Sequence, residues 1–233
     1  DRLGGEVKLA MLPPMRESFE EIIKFFERQL PQLGVEVRLY TEATVEKVLA
    51  ERADAVIVAT GATPYVPDIP GAQGANVITS NDVLTGARTG QHVVIIDTQG
   101  TPPGCVVAEV LADQGKRVEI VMGLNWVGSD IPGPVWHHLY ERLLGKGVVM
   151  SPMTGVSQTG EDFVDVYHVV NTSVARTIQS VDTVVMAAGG QANDGLYNSL
   201  AGRVDELYVI GDSAQPRNIE MATYQAHKVA VEL

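Results

Sequence analysis

Two apolar stretches of the chain stop on glycine: VIVATGATP, from Val56 to Pro64, and LYVIGDSA, from Leu207 to Ala214. A run rich in β-branched residues that ends on glycine predicts a buried strand whose tip lets something approach the backbone closely. Ligands of open α/β sheets sit beyond such carboxyl ends. Asp212 stands at one of them, where a carboxylate can accept hydrogen bonds from ribityl or ribose hydroxyls. The helix predicted to begin near Asn218 would bring unpaired N–H groups and the positive end of its dipole to an anion or a polarised carbonyl oxygen. This is the chemistry of recognition rather than of bond-making. The sequence carries no Ser–His–Asp or Cys–His signature, and no catalytic residue is assigned to it.

A third stretch, IIDTQGTPPGCVVAEVLADQGKRVEIV from Ile95 to Val121, has the strand–loop–helix–strand outline of a dinucleotide-binding unit. Its loop lacks the G-x-G-x-x-G spacing that holds a pyrophosphate. Between Asp97 and Glu109 the glycines are Gly100 and Gly104, separated by Pro102 and Pro103, which have no N–H to offer a phosphate. Met122 and Gly123 stand where an acid would hold the adenosine ribose. The unit keeps its frame without the cradle, so NAD(P)H is not expected to bind productively.

Other reactive side chains point to packing. His137 and His138 are adjacent and lie on different faces of a helix, which disfavours a shared metal. Trp136 and Tyr140 sit at i, i+4. Cys105 falls at a possible helix start, where a thiol pKa can drop, but a buried inert thiol is the expectation. His227, which faces an apolar last helix, is expected to be a satisfied interface residue. No metal site is assigned.

The elements that must position these residues alternate between strand and helix, the pattern of parallel βαβ sheets. Glu17–Gly34 predicts an amphipathic helix, with Phe19, Ile22, Ile23, Phe26 and Leu30 on one stripe, Ser18 and Glu21 as a capping box, and Gly34 past its end. Strands are expected at 35–40, 55–59, 92–97, 117–121, 148–150, 181–190 and 207–212. Helices are expected at 106–114, 133–147 and 218–233, with a small antiparallel layer from 162–170 and 175–180. Pro64, Pro67 and Pro70 break the pattern, and the stretch to about Gly90 reads as a crossing segment. The fold expected is α/β: two nested Rossmann-like, three-layer domains of the FAD/NAD(P)-binding type. The outer domain, 1–85 plus 181–233, lacks its N-terminal βαβ start, and 86–180 is an inserted, degenerate NAD(P)-binding-like domain.

Bulk composition sets outer limits. The 233 residues are 45% hydrophobic and 20% charged, ordinary for a globular chain, with a net charge of -12. That charge argues against nucleic acid or an anionic membrane as partner. No apolar run reaches the roughly 18 residues of a membrane helix. One cysteine excludes a disulfide framework within the chain and points to a reducing cytoplasm.

The motifs ATGATP, VVMAAGG and LYVIGD followed by a helix resemble flavoprotein reductases with two dinucleotide domains. The stretches LGGEVKLAMLPPMRESFEEIIKFFERQLPQLGVEVRLYTEATVE and GDSAQPRNIEMATYQAHKVAVEL are similar to the C-terminal half of one branch, the iron–sulfur flavoproteins. These include trimethylamine, dimethylamine and histamine dehydrogenases, N-methylproline-type demethylases and 2,4-dienoyl-CoA reductase. The resemblance spans essentially the whole chain. It implies an N-terminal TIM barrel that holds FMN, a 4Fe–4S cluster after it, and FAD or ADP in the portion seen here. It also implies that the first Gly-rich turn and its ribose-binding acid lie upstream of Asp1. Carried over residue by residue, Gly4 and Gly5 match the loop beside the adenosine ribose, and Thr44 and Val45 the backbone edge that reads adenine. Thr60 and Gly61 match the ATG turn, and Gly211 and Asp212 the second flavin motif. Glu220, Met221 and Ala222 begin the helix facing the flavin end.

The missing glycine turn in the inserted domain resembles the amine-dehydrogenase branch. That branch implies an oxidoreductase that attacks an amine by N-demethylation or deamination in the barrel and passes electrons to an electron-transfer flavoprotein. The chain alone is then expected to be inactive and to bind nucleotide weakly or not at all. The expected partners are the barrel and cluster portion of the same enzyme and a second copy in a homo-oligomer. Two alternatives stay open at this stage: an NAD(P)H-dependent 2,4-dienoyl-CoA or enoate reductase, and a non-catalytic nucleotide-binding or scaffold subunit.

Overall fold

The computed structural model describes residues 2–233. In chain order the elements are α1 (Val7–Ala10), α2 (Glu20–Gln32), α3 (Val45–Ala50), β1 (Ala55–Val58), β2 (Ala62–Pro64), β3 (Val77–Thr79) and α4 (Ser80–Leu84). There follow β4 (His92–Asp97), α5 (Pro102–Asp113), β5 (Arg117–Met122), α6 (Gly133–Gly145), β6 (Val149–Ser151), β7 (Thr154–Thr159), β8 (Phe163–His168) and β9 (Ala175–Gln179). The last are β10 (Thr183–Ala187), β11 (Gly190–Ala192), α7 (Gly195–Leu200), β12 (Glu206–Val209) and α8 (Ile219–Glu232). They divide into two compact units. Unit 1 holds the residues through Gly5, Glu21–Thr63 and Gly190–Leu233, and unit 2 holds Glu6–Glu20 and Pro64–Gly189.

Unit 2 is built on a five-stranded sheet in the order β3-β10-β4-β5-β6, parallel throughout. Strands buried on both faces carry unbroken apolar runs, and all six residues of β4 are buried. Alternation then sorts the side chains between two cores. Val93 and Ile95 join Val107 and Leu111 of α5 and Leu139 and Leu143 of α6 on one face. Val94 and Ile96 join Val164, Val166 and Ile178 on the other. Those last three residues come from the antiparallel sheet β7-β8-β9, which covers the second face. The unit is therefore three layers: helices, parallel sheet, antiparallel sheet.

Sequence and structure differ at identifiable places. β3 and β10, which the sequence groups with the outer domain, hydrogen-bond into the sheet of unit 2, one on each other and β10 also on β4. Residues 35–40 alternate like a strand yet form none. A strand exists only with a backbone partner, and Val35, Val37 and Leu39 stay exposed. Glu36 and Arg38 of that stretch bond each other instead, Nε to Oε1 at 2.7 Å. Ser18 does not cap α2, because Glu17–Phe19 is a 3-10 turn that leads into it. The far end follows expectation: Gly34 has φ 71° and Val35 N–H donates to Leu30 O at 2.9 Å. α5 starts earlier than predicted, with its two prolines at the first positions, where no intrahelical N–H is needed.

The helix layer carries a partly buried charge cluster. Arg142 donates to both carboxylate oxygens of Glu109 at 2.6 and 3.0 Å, and Lys146 adds a third bond at 3.0 Å. Burial pushes the Glu109 carboxyl up, but these bonds outweigh it and hold the group below its usual range. Its contribution to stability is thus complete above the unfolded value of about 4.3 and is lost as pH falls through the folded one. Glu109→Gln should lower stability at neutral pH by about 1–3 kcal/mol, between the worth of exposed and of buried pairs. The gap between variant and parent in urea midpoint should hold down to about pH 4.3 and close as pH falls further, and a gap that persists undiminished to about pH 2, well below the ordinary carboxylate range, would refute the assignment. Cys105 is 2% exposed in the same core. Burial, with the Asp97 charge adding, pushes its thiol up to about 12. A disulfide reagent at mildly alkaline pH should leave it unmodified in the native chain and react with it once the chain is unfolded in urea.

Candidate functional site

In unit 1, β1 and β12 lie side by side and parallel, with Val58 opposite Val209. Ile210 N–H continues the ladder to Val58 O at 3.0 Å. The two glycine-ended tips are therefore neighbours, as two ends of one ligand site must be. Ser213, 1% exposed, fastens them: its hydroxyl lies 2.7 Å from Ile210 O and 3.2 Å from Val58 O.

The glycines are needed for backbone conformation. Gly61 has φ 74° and a Cβ there would meet open space. Gly211 has φ 64° and a Cβ would make an ordinary 3.5 Å contact with Ala222. A side chain at either would cost about 1–2 kcal/mol of left-handed strain. Gly211 N–H donates to Gln225 Oε1 at 2.7 Å, which ties the second tip to α8. At the first tip, Thr60 Oγ1 donates to Asn193 O at 2.5 Å and Asn193 N–H donates to Gly61 O at 2.9 Å.

Asp212 closes its own loop, since Oδ1 accepts Arg217 N–H at 3.1 Å. Asn218 caps α8 and takes Met221 N–H on its side chain at 2.9 Å. Ala222 N–H goes to Asn218 O at 3.1 Å. The helix start thus offers fewer donors than the sequence suggests; Ile219 and Glu220 are the residues whose N–H groups have no intrahelical acceptor. The structure brings Thr60, Gly61, Gly211, Asp212 and Ala222 into one neighbourhood. Glu220 and Met221 stand at the helix start beside it. Gly4 and Gly5 form a separate turn, with φ 118° and 47°. Thr44 caps α3 through Lys47 N–H at 3.4 Å, with Val45 opening the helix. Ser213, Gln225 and Asn193 were not singled out from sequence. Their roles are bonds to distant backbone, which no local spacing announces.

The loop between β4 and α5 in unit 2 has its own geometry. Asp97, 2% exposed, accepts Gln99 N–H at 2.9 Å and Gly100 N–H at 2.8 Å on Oδ1. Burial pushes this carboxyl up, and the two N–H bonds partly oppose the shift. Gly100 has φ 71°, and its carbonyl takes Asp130 N–H at 3.0 Å from the loop after β5. That loop therefore folds back onto the turn.

Comparison with known proteins places this geometry. Residues 41–228 match the model of the pyridine nucleotide-disulphide oxidoreductase family. A metal reductase of Desulforamulus reducens is 29% identical over all of this chain and 39% of its own length. Among solved structures, a 2-naphthoyl-CoA reductase complex superposes with a TM-score of 0.90 at 28% identity, over 100% of this chain and 35% of that one. Histamine dehydrogenase from Rhizobium sp. 4-9 does so with a TM-score of 0.90 at 26% identity, over 99% of this chain and 38% of that one. The chain thus spans little more than a third of the length of these relatives. Its strand tips, its parallel sheets and the matched residues together make it a member of the pyridine nucleotide-disulphide oxidoreductase family, similar to the corresponding portion of histamine dehydrogenase and 2-naphthoyl-CoA reductase.

Proposed function

We propose that this chain is the nucleotide-binding portion, for FAD or ADP, of a larger flavoprotein oxidoreductase that oxidises an amine by N-demethylation or deamination in a reducing cytoplasm. The observation that carries the reading is the pairing of the two glycine-ended tips beside the start of α8. The tips fit an adenosine-bearing ligand: open space lies over Gly61, and Asp212 and the Glu220–Ala222 turn stand next to Gly211. Gly61 and Gly211 would admit the ligand, Asp212 would accept a ribityl or ribose hydroxyl, and the Ile219 and Glu220 N–H groups would face an anion or carbonyl oxygen. Gly4, Gly5, Thr44 and Val45 would contact the adenosine end.

The chemistry at the amine would belong to FMN and a 4Fe–4S cluster held elsewhere in the enzyme. The chain's one cysteine is buried and supplies no cluster ligand. Electrons would leave to a protein acceptor of the electron-transfer flavoprotein kind, within a homo-oligomeric assembly. A second reading is an NAD(P)H-dependent enoate or dienoyl-CoA reductase, which the likeness to a 2-naphthoyl-CoA reductase supports. The loop after β4 weighs against it, because Asp97 already takes the Gln99 and Gly100 N–H groups that a pyrophosphate would use, and Pro102 and Pro103 add none.

Two measurements on the intact enzyme test the proposal, the first its bound nucleotide and the second its electron donor. Acid release followed by chromatography should yield FAD or ADP, and no nicotinamide nucleotide. Should FAD be released, Asp212→Ala should weaken its retention about tenfold, the worth of one charge-assisted hydrogen bond of about 1.5 kcal/mol. An anaerobic amine should bleach the flavin while NADH leaves it oxidised; rapid bleaching by NADH and none by amines would install the reductase reading instead.

A further inference from the structure

The turn after β4 bonds an anion already, and that anion is part of the chain. The frame of strand, turn and helix N-terminus favours negative charge, because the turn's N–H groups and the α5 dipole point to one place. In unit 2 that place holds the Asp97 carboxylate. Oδ1 takes the N–H groups of Gln99 and Gly100 at 2.9 and 2.8 Å. Oδ2 is buried and has no hydrogen-bond partner among the described residues. It is aimed at the first turn of the 12-residue helix α5: a Cβ built on Gly104 would lie 2.7 Å from Oδ2 and 3.0 Å from the carboxyl carbon. Gly104 therefore makes room for Asp97, as a glycine at this position makes room for a phosphate in a nucleotide-binding turn.

Two neighbouring groups fill the rest of the crevice. A Cβ on Gly189, past the tip of β10, would lie 2.2 Å from Gln99 Nε2, so the Gln99 amide covers that glycine. A Cβ on Gly100 would lie 2.3 Å from Ser129 Oγ, so the loop after β5 covers the turn itself. A buried aspartate closing a turn is commonplace. What sets this one apart is the second oxygen, left unbonded and directed at a helix start whose first two residues are prolines.

We propose that Asp97 is a built-in anion that occupies the phosphate position of unit 2 and closes it to dinucleotides by occupation. This deepens the reading of unit 2 given above, and its test reads two amides rather than flavin reduction, so the two can fail separately. The probe is inorganic pyrophosphate, added at millimolar concentration to the full 233-residue chain and followed by the NMR positions of the Gln99 and Gly100 amides. In the parent chain both should stay unmoved, and in Asp97→Ala both should shift with saturation. Movement in the parent would overturn the proposal by showing an open turn. So would a folded Asp97→Ala chain whose amides ignore pyrophosphate. Should that variant fail to fold, Asp97→Asn decides: its uncharged amide is a weaker acceptor, so hydrogen exchange at Gln99 and Gly100 should quicken severalfold, and unchanged exchange would overturn the proposal.

Discussion

The bond from Ile210 N–H to Val58 O fixes everything that unit 1 can do. It carries the parallel ladder of β1 and β12 one residue past the last paired strand residues, so Gly61 and Gly211 emerge on the same end of the sheet. A two-residue slip would separate the tips by about 7 Å. Ladder bonds are individually modest, about 1 kcal/mol net, and a two-stranded sheet is marginal alone. The register is held by what surrounds it: Val58 at 1% exposure cannot move along the sheet without uncovering itself, and Ser213 ties both tips with one hydroxyl. Gln225 then fixes the second tip to α8 through Gly211 N–H. Strand register, loop and helix are thus a single constraint, and the position of Asp212 follows from it.

Unit 2 meets the same physical problem with a different answer. Turn N–H groups beside a helix start must find an acceptor, and leaving them bare in a buried site costs several times the value of the bond. A binding site satisfies them with a ligand. Here a side chain from the preceding strand does so, and the surrounding loops close over it. The price is a carboxylate at 2% exposure with one unbonded oxygen. The helix dipole offsets part of that cost. The two cores of the unit, on either face of a sheet of five strands, supply the remainder, since each buried valine or leucine is worth about 1.5–3 kcal/mol.

Most of the fold class was legible because it rests on side-chain hydrophobicity alone. HVVIID, RVEIVM and TVVMA are apolar runs of strand length, and each became a central or near-central strand. What was not legible depended on partners. Val35–Leu39 has the alternation of a strand and lacks a neighbour, so it remains irregular. TGVSQT, Thr154–Thr159, has no apolar run and is nevertheless β7, because β8 presents it with a ladder. Val77–Thr79 is too short to announce itself and lies after three prolines, yet its edge pairing puts it in the sheet of unit 2. The same division holds at the site. Glycines that need positive φ show in the sequence, as Gly61 and Gly211 do. Ser213, Gln225 and Asn193 act through bonds to backbone that is close only after folding.

That division explains why the Asp97 loop is readable as a negative and not as a positive. Missing glycines and paired prolines tell from sequence that a phosphate cradle is incomplete. They do not tell what takes its place, because an aspartate at a strand end is equally consistent with a ribose acceptor, a metal ligand or a turn cap. The choice among these is made by Gly104, whose missing side chain lets Oδ2 reach the helix start, and by Ser129 and Gln99, which cover the neighbouring glycines. Asp212 shows the opposite case at the same kind of position. It also bonds its own loop, yet it is only half-buried beside a tip with open space over Gly61. Two aspartates at two strand ends thus differ in one physical respect, whether the space in front of them is already filled.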